Sequence, residues 1–205
     1  MNGIEFKAKP GLKRMHIALM IGYWGGIGLL IALVCFKLWI GLKPQELFSV
    51  EKGIAHWFFS IPLSDTLTNS VMVPFTYFQP INPGMFDAKT AYLVVSLTNT
   101  TLIFITYIYS IGQIRNIIGS ILSGSSPFNQ ANATRLKKLG IVVILFSLLA
   151  KLVLNILICL FVTRIFSINL GGISVIGIII GILVLFVSEI FKYGVLLQEE
   201  HDSTL

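Results

Sequence analysis

Residues 139–163, LGIVVILFSLLAKLVLNILICLFVT, form a block of 25 residues that carries a single charge, Lys151. A hydrocarbon core about 30 Å thick is crossed by about 20 apolar residues rising 1.5 Å each, so this block is long enough to span a membrane. Three more blocks pass the same test, at 17–36, 91–114 and 165–188. The fold class expected from them is an all-α integral membrane protein, with four transmembrane helices in a bundle and a small extracytoplasmic loop region. Composition agrees. Hydrophobic residues make up 55% of the 205 residues and charged residues 12%, about half the charged share of a soluble domain, and the mean hydropathy is +0.86. A soluble enzyme and a disordered chain are both excluded.

Orientation follows from Lys and Arg, which are retained on the cytoplasmic side. The first sixteen residues hold Lys7, Lys9, Lys13 and Arg14, and the connection 115–138 holds Arg115, Arg135, Lys137 and Lys138 with no acid. In the connection 37–90 the lysines are balanced by Glu46, Glu51, Asp65 and Asp87, and the third connection has only Arg164. Both termini are therefore expected inside. The first span could pass for a signal peptide, but its apolar run is too long and no small-residue cleavage pattern closes it, so it is expected to stay as an anchor. The resulting layout is a basic cytoplasmic tail at 1–16, helices at 17–39 and 91–114, an extracytoplasmic loop at 40–90 between them and a basic cytoplasmic loop at 115–138. Helices at 139–163 and 165–193 and an acidic cytoplasmic tail at 194–205 complete it.

The outward loop contains Pro44, Pro62, Pro74, Pro80 and Pro83 together with many aromatics, and prolines at this frequency break long helices. Strand-favouring residues at 71–77 and the turn signal Asn82-Pro83-Gly84 predict a short hairpin. The competing reading seats residues 56–59 and the other aromatics at the headgroup level as an interfacial belt. A ligand-sensing cap is the sharper alternative. On the inward side, Ser123-Gly124-Ser125-Ser126 reads as a hinge, with Ser126 as an N-cap and Pro127 in the first helical turn.

Within the third span Ser147, Lys151, Asn155 and Cys159 recur every four residues, which places them on one helix face. Lys151 lies thirteen residues beyond Lys138, about 20 Å into the membrane. An ammonium there is expected to face the bundle interior and to pair, with Asn155, Asn99 on the second span or Glu189 on the fourth as partners. A ligand or conformational switch is the functional alternative. A Ser147 and Lys151 nucleophile and base pair lacks an orienting partner and an oxyanion site. No catalytic, metal or cofactor residue is assigned: His16, His56 and His201 fall in separate regions, and Cys35 and Cys159 read as small buried hydrophobes. Gly22 with Gly26, and Gly177 with Gly181, are small-residue pairs that let helices approach closely. Packing within the bundle comes first, and an oligomer stays open.

Arg135, Lys137 and Lys138 are expected at the headgroups, with membrane lipid as their partner. Glu199, Glu200 and Asp202 lie on the same side, where a disordered acidic tail could pair with the basic loop or offer a charged patch to a soluble protein.

Ser126-Pro127-Phe128, six residues, then Arg135-Leu136-Lys137-Lys138-Leu139-Gly140, with Glu189-Ile190-Phe191-Lys192-Tyr193-Gly194-Val195-Leu196-Leu197-Gln198-Glu199-Glu200 and Asp202, carry a family resemblance. In these segments the chain resembles the YoaS-like family of bacterial four-span membrane proteins of unknown function, DUF 2975. The resemblance implies a bacterial cytoplasmic membrane and a helix-turn-helix transcription regulator as a soluble partner, tethered or controlled by the loop and tail. Nothing in the residues themselves indicates direct nucleic acid contact by this chain. The expected function is non-enzymatic anchoring or regulation. The rival is ligand or peptide sensing, immunity or transport through the outward loop and the Lys151 stripe.

Overall fold

The computed structural model describes residues 10–77 and 87–203. The apolar blocks form four helices: α1 Pro10–Gly41, α2 Ala88–Leu122, α3 Gln130–Ile158, prolonged by a π-helical turn Cys159–Thr163, and α4 Val175–Ser203. Asp87 caps α2: the backbone N–H of Lys89 donates to Oδ1 at 2.9 Å and the Thr90 hydroxyl to Oδ2 at 2.6 Å. All four helices are long and apolar enough to cross a membrane. Their flanks carry large apolar side chains in the open, such as Ile21 at 69%, Trp24 at 62% and Ile176 at 74% exposure, a surface suited to lipid and not to water. The chain is a multi-pass membrane protein.

An all-α class is incomplete. Residues between α1 and α2 form a three-stranded antiparallel sheet, β1 Ser49–Lys52, β2 His56–Pro62 and β3 Thr68–Pro74, in the order β1-β2-β3. Its cause is a period of two: Trp57, Phe59 and Ile61 are buried at 1%, 0% and 0%, and across the ladder they face Val73, Val71 and Asn69. Trp57 and Phe59 are thus core residues of the sheet. Strand β3 also pairs differently from the expected hairpin. Its partner is the upstream β2, joined through a turn in which the N–H groups of Leu63 and Ser64 donate to Leu67 O. The Asn82-Pro83-Gly84 turn lies outside the described residues.

The chain divides into two compact units. One comprises Leu29–Ile103 and Ser147–Ser174, and its core joins the inner face of the sheet to Ile40 of α1, Ala91, Tyr92 and Val95 of α2, and Leu154 and Ile158 of α3. The Tyr92 hydroxyl donates to Asn69 Oδ1 at 2.7 Å and Lys89 Nζ to Lys43 O at 2.9 Å, so these two groups at the rim of the core are satisfied.

The other unit comprises Met1–Gly28, Phe104–Phe146 and Val175–Leu205. Here α1 runs antiparallel to α2, with His16 beside Gly119, Tyr23 beside Gly112 and Gly26 beside Tyr107. Helix α3 meets α4 at Gly140 and Gly181, where a Cβ on either glycine would lie within 3.0 Å of the other's carbonyl oxygen.

The helices outrun the expected spans, since α1 already includes residues 10–16, α2 reaches Leu122 and α3 begins at Gln130, and α3 and α4 also start on residues other than those expected. Asn129, not Ser126, caps α3: the N–H of Asn132 donates to Asn129 Oδ1 at 2.8 Å, while Ser126 Oγ accepts the N–H of Phe128 at 3.2 Å in a local turn. Helix α4 starts at Val175, ten residues after the expected 165. Arg164 ends the π-helical turn with φ at 54°, and Asn169 Oδ1 then accepts the N–H of Gly171 at 2.7 Å, a side-chain bond that competes with helix formation.

Candidate functional site

The four-residue polar repeat of α3 meets a non-helical return segment, residues 164–174, which runs back along the same face. At Cys159 the thiol donates to Ser167 O at 3.3 Å. One turn earlier Asn155 Oδ1 accepts the N–H of Asn169 at 3.2 Å. Another turn back, Cβ and Cδ of Lys151 lie 2.8 Å from the place a Gly172 Cβ would take. At the far end Ser147 O accepts the N–H of Ser174 at 3.1 Å. The stripe is a track for irregular backbone, whose N–H and C=O groups cannot be left open at membrane depth.

Asn155, fully buried, is the centre of that arrangement. Its Nδ2 also donates to Tyr77 O at 3.5 Å, and Asn169 Nδ2 donates to Thr76 O, so the two asparagines hold the residues just after β3 as well. Burial pushes the Tyr77 phenol above its usual range.

The expected inward, paired Lys151 is contradicted. Lys151 is exposed and makes neither an ion pair nor a hydrogen bond among the described residues. Its stem packs over Gly172. Glu189 forms its ion pair within α4, with Lys192 at 3.6 Å, and Asn99 is exposed on α2. Cys35 is likewise exposed, not buried, while Cys159 is buried as expected; both are free thiols.

At the α2–α3 connection a second constellation is built within one unit. Asn132, fully buried, accepts from the Ser120 hydroxyl at 3.0 Å and from Arg135 Nη1 at 2.8 Å, and donates through Nδ2 to Pro127 O at 3.2 Å. Arg135 Nη1 also donates to Asn116 O at 3.1 Å. Phe128 lies against Phe191, ring centroids 5.1 Å apart, and its ring would be 2.7 Å from a Cβ on Gly194. The Ser126 hydroxyl donates to Gln198 Oε1 at 2.8 Å, and Ser188 Oγ donates to Ala133 O at 2.9 Å.

Of the charges singled out from the sequence, Arg135 is half-buried and tied to this network, whereas Lys137, Lys138, Glu199 and Glu200 are exposed. The acids do not belong to a disordered tail: Glu199, Glu200 and Asp202 are within α4. Phe128, Asn132, Phe191, Gly194 and Gln198 do the joining and were not singled out as joining residues. A glycine inside the long apolar helix α4 was the available signal. Gly22 and Gly26 pack on Tyr107 and Gly181 on Gly140 and Ile144, as expected for packing within the chain, while Gly177 sits in the first turn of α4.

No curated protein and no solved structure matches the chain. The model of a family described as a protein of unknown function, DUF2975, matches residues 81–205, a stretch that contains α2, α3, the return segment, α4 and every contact between Ser126-Pro127-Phe128 and the end of α4. The chain belongs to the DUF2975 family.

Proposed function

We propose that this is a non-enzymatic protein of a bacterial cytoplasmic membrane, its four helices bundled and both termini cytoplasmic, that docks and regulates a soluble partner on its inner face. The docking surface is the α2–α3 connection seated on the end of α4. The observation that supports this reading is the contact of Phe128 with Gly194 and Phe191, fastened by Ser126 to Gln198. It joins the two segments that carry the family resemblance into one ordered platform. Around it, Lys137, Lys138, Glu199 and Glu200 are exposed, a mixed-charge rim of the kind that selects a partner more than it adds affinity. A small helix-turn-helix regulator is the partner that the resemblance suggests, with contact through protein and not through nucleic acid.

The test replaces Lys137 and Lys138 with Glu. Membrane insertion and thermal stability are expected to stay unchanged, because both side chains are exposed, while expression of the genes under the partner's control shifts toward the level seen when this protein is deleted. Unchanged expression counts against the docking reading.

A second reading, sensing of an external ligand or peptide, is favoured by the sheet being built onto the helix ends through Tyr92 and Asn69. Its available polar group on α3 is the exposed ammonium of Lys151, since the rest of the stripe holds the return segment. Protection of 49–74 from proteolysis by an added peptide would support it.

A further inference from the structure

Beside the α1–α2 contact of the second unit described above, a groove of about 320 Å³ runs along α2, walled by Tyr23 of α1 and floored by Ile105, Ile108 and Tyr109, with Arg115 and Asn116 at one end. Depth gives its two ends different environments. Residue 105 is the midpoint of α2, and Arg115 lies ten residues on, about 15 Å along the axis. That is half the thickness of a hydrocarbon core of about 30 Å. With α2 centred in the bilayer, Ile105 sits at mid-membrane and Arg115 at the headgroups.

The guanidinium at that boundary is held in place. It stacks on Tyr23, 4.3 Å from the ring centroid, and its Nε and Nη2 donate to Asn116 Oδ1 at 3.4 and 3.1 Å. Those bonds orient the group without neutralising it. No Asp or Glu occurs in α1, or anywhere from residue 88 to 138, and Arg115 has no ion pair among the described residues. The groove therefore ends in a fixed, uncompensated cation with an apolar channel leading from it toward the bilayer centre. Planar guanidinium groups bind phosphate in a bidentate manner, and basic pockets between transmembrane helices suit anionic headgroups.

We propose that this groove is a binding site for one anionic phospholipid, its phosphate on Arg115 and one acyl chain lying along Ile108 and Ile105. The site is separate from the seat of Phe128 on Gly194 and Phe191, although Asn116 borders both: its side-chain oxygen accepts from Arg115 and its carbonyl from Arg135.

The full chain, reconstituted in phosphatidylcholine bilayers, tests this by electron spin resonance with spin-labelled phosphatidylglycerol and, separately, spin-labelled phosphatidylcholine. The motionally restricted fraction gives the preference of one lipid over the other. The wild type is expected to prefer phosphatidylglycerol about fivefold, the size of one basic group's effect at an anionic surface. Arg115→Gln should abolish the preference, and Lys137→Gln with Lys138→Gln should leave it. Ile105→Trp, which fills the channel without touching the charge, should release the restricted phosphatidylglycerol even if Arg115→Gln fails to fold. Wild type without preference, a preference that survives Arg115→Gln, or one lost on changing the two lysines would each overturn the proposal, the last by assigning the effect to a diffuse basic surface. Glycerol 1-phosphate in tenfold excess should not compete; competition would mean that a free phosphate, not a lipid, occupies the site.

Discussion

Asn155 and Asn169 face each other across the return from α3, the side-chain oxygen of the first accepting the backbone N–H of the second at 3.2 Å. The relationship explains why a span otherwise rich in Leu, Ile and Val keeps an amide in its interior. A segment that leaves the helix at Arg164 carries open backbone groups with it, and in or near hydrocarbon those groups must find partners within the protein.

Asn155→Leu removes the acceptor for the part-buried Asn169 N–H and the donor to the buried Tyr77 O, and leaves both groups open. Each such loss costs about 1–3 kcal/mol, so the variant should lose about 2–4 kcal/mol and unfold several degrees lower in detergent, read by circular dichroism or differential scanning fluorimetry. An unchanged Tm would mean that the return segment is not held by this bond.

Lys151→Leu separates the track from an interior charge. Because the ammonium is exposed and lacks a partner among the described residues, the substitution should change stability by no more than about 0.5 kcal/mol in the same thermal assay. A loss comparable with that of Asn155→Leu would restore the paired, inward lysine.

Gly194→Val places side-chain atoms where Phe128 packs, since even a Cβ would come within 2.7 Å of the ring. Overpacking of this kind costs about 1–3 kcal/mol. The α2–α3 connection should lift away and residues 123–129 should become a site of limited proteolysis. Phe128→Ala in the same chain should relieve the clash and recover much of the lost stability. Proteolysis unchanged by Gly194→Val would contradict the seating of the loop on α4.

The four spans were legible because length and apolarity alone decide whether a segment can cross a bilayer. Helix ends were less so. Ser126-Pro127 has the form of a helix start, yet Asn129 takes the role because its side chain reaches the N–H of Asn132 while Ser126 is used in a turn and in the bond to Gln198. The strand His56–Pro62 was hidden because Trp57, Phe58 and Phe59 are consecutive aromatics, so an alternating pattern of burial is not an alternating pattern of residue types. The polar repeat from Ser147 to Cys159 was legible as a stripe, but its partners are largely backbone groups of 164–174, which leave no mark on side-chain identity. The apolar residues of that segment imitate the start of a span. At the platform, the charges drew attention and the joining residues did not, because an exposed Phe beside an in-helix Gly carries meaning only once the two are brought together.

Photo-crosslinking in living cells addresses the docking surface most directly. A photoreactive phenylalanine analogue is placed at Lys137 on the proposed platform and, in a parallel strain, at Met72 on the exposed face of the sheet, and the captured adducts are identified by mass spectrometry. The account predicts one discrete protein adduct from position 137, a soluble cytoplasmic regulator, that is lost when Gly194→Val unseats the loop, and no such adduct from position 72. Capture of lipid alone at 137, or of a specific protein or peptide at 72 in its place, would contradict it.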